Sequence, residues 1–181
     1  MVHSLTELAA KALAQAGEGP YILGKQSYDE LEYARFCANT PFKNKTAKAA
    51  ELGNSEWLRR LHKEGVPWDL STTAWAAKSG HSECIRTAVS LGCPWDPQTT
   101  AWAAEYDHPE CIRVAVALGC PWHPETTSWA TAGGHPECIR ISRELGCEWS
   151  GNTTLWAARN GHPECIRISR ELGCPWNLQT I

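Results

Sequence analysis

The chain has 181 residues, of which 43% are hydrophobic and 20% charged, the balance of a folded protein rather than a disordered one. Its formal net charge of −3 gives no long-range attraction to nucleic acid or to an anionic membrane surface, and no apolar run reaches the length of a membrane-spanning helix. The opening MVHSLTELAAKALAQ lacks the basic lead and apolar core of a secretory signal, so the nine cysteines are expected as reduced thiols. The expected setting is intracellular, in the cytoplasm or within a viral or organellar assembly.

Residues 4–16 (SLTELAAKALAQA) read as a helix, with Ser4 as cap, Glu7 three residues on, and Leu5, Leu8 and Ala12 on one face. Gly17 to Tyr21 breaks it with two glycines and a proline. A second helix is expected over 28–38, where Leu31, Ala34 and Cys37 have helical spacing. Residues 1–39 do not match the remainder of the chain. They read as an N-terminal helical extension or docking arm, or as a degenerate first repeat.

From Thr40 a register of 27 residues holds to the end of the chain. One tryptophan falls at Trp68, Trp95, Trp122, Trp149 and Trp176, and a second at Trp75, Trp102, Trp129 and Trp156. The step Glu-Cys-Ile-Arg falls at 83–86, 110–113, 137–140 and 164–167. The units are 40–66, 67–93, 94–120, 121–147 and 148–174, with a stub at 175–181. In the first, Lys48 replaces the helix Trp, Asn54 the His and Trp57 the Cys, adding the charge that a terminal repeat needs. So short a unit cannot bury its apolar face alone; neighbours must stack and share a core.

Within 94–120, Thr99 and Thr100 offer a cap for a first helix through Trp102, Ala103 and Ala104. A turn comes next, at Tyr106-Asp107. Pro109 then opens a second helix, with Glu110 well placed against its dipole. Cys111, Ile112, Ala115 and Leu118 form the expected buried stripe. Gly119 supplies a left-handed residue after the last turn, and Pro121 prevents continuation. The reading is all-α: a right-handed-type solenoid of helix-turn-helix repeats.

At this point the unit resembles the ankyrin repeat. The residues that carry the likeness are TTLWAARNGHPECIRISRELG at 153–173, with Ala157-Ala158, Gly161-His162 and Gly173 at the family's spacing. The family unit is about 33 residues long, so about six are missing, between Gly146 and Asn152, where the family builds its projecting β-hairpin. The nearer likeness is to the short, Cys-Pro-Trp-containing repeats of giant viruses and some protists. The resemblance implies an α-solenoid used for protein–protein contact, and a backbone-bonding role for the histidine of the inter-helix turn.

Three chemistries compete with that reading. His and Cys recur as H-x-x-C with a second Cys nine residues on, as at His135, Cys138 and Cys147, which suggests a metal-binding or redox-responsive protein. Cys138 and Cys147 are, however, separated by roughly 13–15 Å of helix, and no C-x-x-C exists. Four near-equivalent Cys–His pairs suit a framework better than one activated nucleophile, so no catalytic residue is assigned and no enzyme is expected. The Trp ladders could stack bases, but each Arg of the ladder Arg86, Arg113, Arg140, Arg167 has a Glu three residues earlier to neutralise it. Trp102-type rings are therefore expected between first helices and Trp95-type rings over the core edge. No metal and no cofactor are expected.

What remains for recognition are the positions that differ between units: Asp69-Leu70-Ser71, Asp96-Pro97-Gln98, His123-Pro124-Glu125 and Ser150-Gly151-Asn152 at the connection, and Lys78-Ser79, Glu105-Tyr106, Ala132-Gly133 and Arg159-Asn160 at the inter-helix turn. Glu105, Tyr106, His123, Glu125, Arg159 and Asn160 are the expected partner-binding residues, with Tyr106 as the anchor. The stub PWNLQTI carries no polar capping helix, so the face around Ile166 and Leu172 is expected to be partly apolar and to dock another subunit or a copy of the chain. The expected partner is a protein, with no nucleic acid and no membrane. The expected role is that of an interaction scaffold, adaptor or structural subunit.

Overall fold

A helix of seven residues has no stability of its own in water, and the repeats here are built from helices of that length. The computed structural model describes residues 25–175; the helix expected over 4–16 and the stub's Trp176 lie outside them. The chain divides between Lys45 and Thr46 into two compact units. In the first, α1 spans Lys25–Asn39, beginning ahead of the stretch that its spacing marks out. It buries Leu31, Tyr33, Ala34 and Phe36, and a 3-10 turn comes after it at Phe42–Asn44.

In the second unit, α2 (Lys45–Glu51) and α3 (Ser55–Lys63) form the first helix pair. Then come α4 (Thr72–Lys78) with α5 (Ser82–Ser90), α6 (Thr99–Glu105) with α7 (Pro109–Ala117), α8 (Thr126–Gly133) with α9 (Pro136–Glu144), and α10 (Thr153–Arg159) with α11 (Pro163–Glu171). The described residues contain no strand. The first helices α4, α6, α8 and α10 pack in succession as one layer, and the second helices α3, α5, α7, α9 and α11 as another. This is an α-solenoid of stacked helix-turn-helix repeats.

The two layers have different cores. First helices meet through alanine: Ala76, Ala77, Ala103 and Ala104 are fully buried, and side chains this small let short helices approach closely. Second helices bury cysteine and isoleucine, with Cys84, Ile85, Ile112, Cys138 and Ile139 all at 0% exposure. Each isoleucine contributes about 1.5–3 kcal/mol on burial. The buried stripe of α7 is Cys111, Ile112, Val114 and Ala115, and Leu118 is 39% exposed instead. The reason lies in where the helix stops. Leu118 is the C-cap, Gly119 turns left-handed at φ +87°, and the Cys120 and Gly119 N–H groups close back on the carbonyls of Ala115 (2.9 Å) and Val116 (3.0 Å).

The threonine pair does not cap, as its position suggests it would. Thr99 already lies inside α6, and no side chain caps that helix. The pair ties one repeat to the next. Thr73 Oγ1 accepts the Asp96 N–H at 3.0 Å and stands 2.9 Å from Thr99 Oγ1, while Thr99 donates to the Asp96 carbonyl at 2.8 Å. A hydroxyl has one proton. Thr99 spends its own on Asp96, so Thr73 donates to Thr99 and the four groups close a ring. The ring recurs with Thr100, Thr126 and His123 (2.9, 3.1 and 2.8 Å) and with Thr127, Thr153 and Ser150 (3.0, 3.0 and 2.9 Å). Thr46, Thr72 and Asp69 make the same contacts.

Every threonine of this ladder is buried, so removing the hydroxyl of Thr73 or Thr100 strands the backbone N–H of Asp96 or His123 that it accepts. Thr73→Val and Thr100→Val, which keep shape and lose only the hydroxyl, should each lower unfolding free energy by about 1–3 kcal/mol. Urea unfolding followed by circular dichroism measures this; an unchanged midpoint in both variants would remove the ladder's structural role.

Candidate partner-binding surface

The fourth residue of each first helix is the tryptophan Trp75, Trp102, Trp129 or Trp156. These rings are not enclosed between helices. The first three are half-buried and Trp156 is 38% exposed. Trp75 and Trp102 meet edge to face with centroids 5.6 Å apart. Three residues on, Lys78 folds into the space that they frame. Its Nζ lies 4.8 Å from the Trp75 centroid, 5.4 Å from Trp102 and 4.9 Å from Tyr106. An ammonium held by three aromatic faces is a favourable arrangement, worth more as water is excluded.

The 27-residue step carries that position to Glu105, Ala132 and Arg159. At Ala132 no side chain fills the corresponding space, and a pocket opens there, lined by Trp129, Trp156, Ala132, Ser128, Asn152, Glu105 and Glu125. Glu105 is half-buried, and that desolvation raises its pKa above the usual carboxylate value despite the opposing pull of Lys78 and His135. Glu125 accepts a hydrogen bond from Ser150 Oγ at 2.7 Å. Arg159 lies over the Trp156 ring, 5.7 Å from its centroid.

The expected recognition residues fall into distinct places. Glu105 and Glu125 come together at this pocket, and Arg159 stands beside it. Tyr106 is 42% exposed and shares Lys78 with the first two tryptophans. His123 is a turn residue: its Nδ1 accepts the Glu125 N–H at 3.1 Å, as Asp96 Oδ1 accepts the Gln98 N–H at 2.6 Å one repeat earlier. Asn160 donates to the Ala132 carbonyl at 2.9 Å. Ile166 and Leu172 are half-buried on the last pair, and Ile166 lines a shallow groove with Pro163, Arg167, Arg170 and Glu171. Lys78, Ala132, Trp129 and Trp156 stand on the same side of the first helices; the sequence offers Lys78 and Ala132 among the positions that differ between units but leaves them out of the expected contact set, and it assigns the two tryptophans to the framework. Comparing Lys78 with Ala132 along the repeat, three residues after each Trp, is the signal that finds them.

The histidines do bond backbone, but across repeats rather than within a turn. The Nε2 atoms of His108, His135 and His162 meet the carbonyls of Lys78, Glu105 and Ala132 at 3.0, 2.8 and 3.2 Å. The left-handed Gly80 leaves room for this, since a Cβ there would come within 2.8 Å of the His108 ring. One repeat on, Asp107 holds that left-handed place at φ +59°, and its Oδ1 lies 3.7 Å from His135 Nδ1. The arginine ladder is shared as well. Arg59 and Arg86 reach the next repeat's Glu83 and Glu110, each at 3.6 Å, and within a repeat Arg59 pairs with Glu56 and Arg167 with Glu164. Stacked second helices bring the next repeat's glutamate within reach of these long side chains.

The repeat cysteines are free thiols in the core. Burial pushes Cys84, Cys147, Cys165 and Cys174 up to about 11, and Cys93, Cys111 and Cys120 to about 12. Cys138 rises further, with the Asp107 carboxylate adding to desolvation. Among the described residues no three His, Cys, Asp or Glu side chains gather to hold a metal ion, and no helix is long and apolar enough to cross a membrane.

The fold is that of an ankyrin-repeat solenoid. The chain is similar to the crystal structure of the human ASB11 ankyrin repeat domain, with a TM-score of 0.62 and 17% sequence identity over 98% of this chain and 86% of that one. No protein-family model and no curated protein sequence matches it.

The buried thiols lead to two expected outcomes. At pH 8 a disulfide reagent should label the half-buried Cys37 first, and the eight repeat cysteines only at the rate of unfolding; rapid labelling of all nine in the native protein would contradict the burial. A raised folded-state pKa contributes stability that is present below the unfolded value, here 9.0, and is lost as pH rises toward the folded one. Stability should therefore fall between pH 9 and 11, each such thiol adding up to about 1.4 kcal/mol per pH unit. Melting temperatures measured across that range test the sign.

Proposed function

We propose that the chain is a non-catalytic interaction scaffold, an adaptor or a structural subunit, that recognises a protein partner through the exposed side of its first helices. The observation that carries this reading is a contrast between positions. Threonine, histidine, alanine and cysteine repeat because they join one unit to the next. Lys78, Glu105, Ala132 and Arg159 stand at one equivalent surface position and differ in charge and size. A rigid frame carrying variable side chains suits selective contact, and the ankyrin fold agrees with it. Glu105, Tyr106, His123, Glu125, Arg159 and Asn160 are the proposed contact set, with Tyr106 as anchor. The free core cysteines support an intracellular setting. Residues 1–39 are proposed as a separate arm. Against a metal-binding or redox-responsive role stand the raised thiol pKa values, since the thiolate is the species that ligates and attacks.

Affinity capture from a source cell extract should recover a partner with the wild-type chain and lose it with Tyr106→Ala combined with Arg159→Ala, while circular dichroism stays unchanged. Recovery undiminished by both substitutions would refute the assignment of this face.

The last described helix pair is proposed as a second contact. Ile166 is half-buried where its counterparts Ile85, Ile112 and Ile139 are fully buried, and an apolar side chain left partly open favours association. Ile166→Lys and Leu172→Lys should shift native mass spectra from an assembled form toward monomer; identical spectra for wild type and variants would remove this contact.

A further inference from the structure

The pocket beside Ala132 differs from the space filled by Lys78 in one respect that matters: it has no occupant of its own. Trp129 and Trp156 stand one and two repeats along from Trp102, three residues before Ala132 and Arg159 as Trp75 stands before Lys78. The lysine is replaced by a methyl group, and two carboxylates, Glu105 and Glu125, line the opening. Lys78 and His135 act on the charge of Glu105, but the desolvation that disfavours it outweighs them. The faces of the two indoles are also electron-rich. Both charged residues that line this pocket are thus acidic, and the molecule itself displays what such a place accepts, a lysine ammonium among aromatic rings.

We propose that this pocket binds a lysine side chain presented by a partner protein, with the ammonium between the Trp129 and Trp156 rings and the Glu105 and Glu125 carboxylates. The bound lysine takes the place that Lys78 takes two repeats earlier. The inference rests on the reading of the first-helix face as a recognition surface and gives the chemistry of its partner: a basic segment carrying an exposed lysine. Ser128, whose buried Oγ has no hydrogen-bond partner, and Asn152 supply polar groups on the same wall. Arg159 lies over the Trp156 ring and marks where a second positive charge of the partner would be repelled, so the site selects a lysine with an uncharged neighbour on that side.

The test needs no protein partner. The indole N–H signals of the full-length 15N-labelled chain are followed while n-butylammonium, the bare end of a lysine side chain, is added at constant ionic strength, with n-butanol as the neutral control. The Trp129 and Trp156 signals should shift saturably with butylammonium in the millimolar range and not with butanol. Glu105→Gln combined with Glu125→Gln should weaken that binding by about tenfold. Ala132→Lys, which installs the counterpart of Lys78, should abolish it. An absence of saturable shifts to roughly 100 mM, a concentration that even a poor small cation site exceeds in affinity, would overturn the proposal. So would equal shifts with butanol, which mark an apolar cleft only. Either failure leaves the capture experiment on Tyr106 and Arg159 standing, so the lysine site and the scaffold reading fall separately.

Discussion

The ring of hydrogen bonds through paired threonines is what the rest of this structure depends on. A 27-residue unit has no room for a β-hairpin, so the chain between a second helix and the next first helix is a bare turn. Its backbone groups are buried at the junction and need partners. Thr100 meets the His123 N–H and Thr126 meets the His123 carbonyl, and the two hydroxyls bond each other. Proton counting leaves no donor idle in the ring. The contact that satisfies the turn is therefore the contact that sets one repeat against the next, and a repeat can neither rotate nor slide without breaking it.

That constraint places the surface groups. With first helices held at alanine-to-alanine distance, their tryptophans cannot be enclosed and line up on the outer side, where Trp75 and Trp102 meet edge to face. The histidines bond one repeat back to the carbonyls that end the first helices. The residue three places after each tryptophan then points to the same kind of slot between rings. Lys78 fills its slot; Ala132 leaves one open. The difference between a filled slot and an open one is a single side chain at an equivalent position.

Much of this is legible in order along the chain. The period, the helix pairs, the proline at the start of α7, the glycine after its end and the core cysteines come from local spacing, because a helix of known pitch has only one way to present residues three and four apart. Leu118 departs from expectation because the helical pattern, continued one step past the last turn, no longer describes where a side chain points. The threonine pair departs from it because Ser or Thr ahead of a helix has a strong local role as a cap, and nothing nearby indicates a partner in the previous repeat. The tryptophans lie nearer the surface than expected, since size and apolarity say nothing of which side of a two-layered stack a ring meets.

The sequence by itself determined that the protein is a stacked helical array, the 27-residue step of its helix pairs, and which residues recur at that step. Those are properties of the period, and a period is written in the chain. Tertiary structure alone decided the partners: Thr73 with Thr99, Arg86 with Glu110, His135 with the Glu105 carbonyl, Glu105 with Trp129 and Trp156. These pairs lie about one repeat apart, or nearly two for Glu105 and Trp156, but never in simple register. Which residue faces which depends on how closely two helices approach and how the next unit is turned. That is set by packing across the stack, and no stretch of sequence contains it.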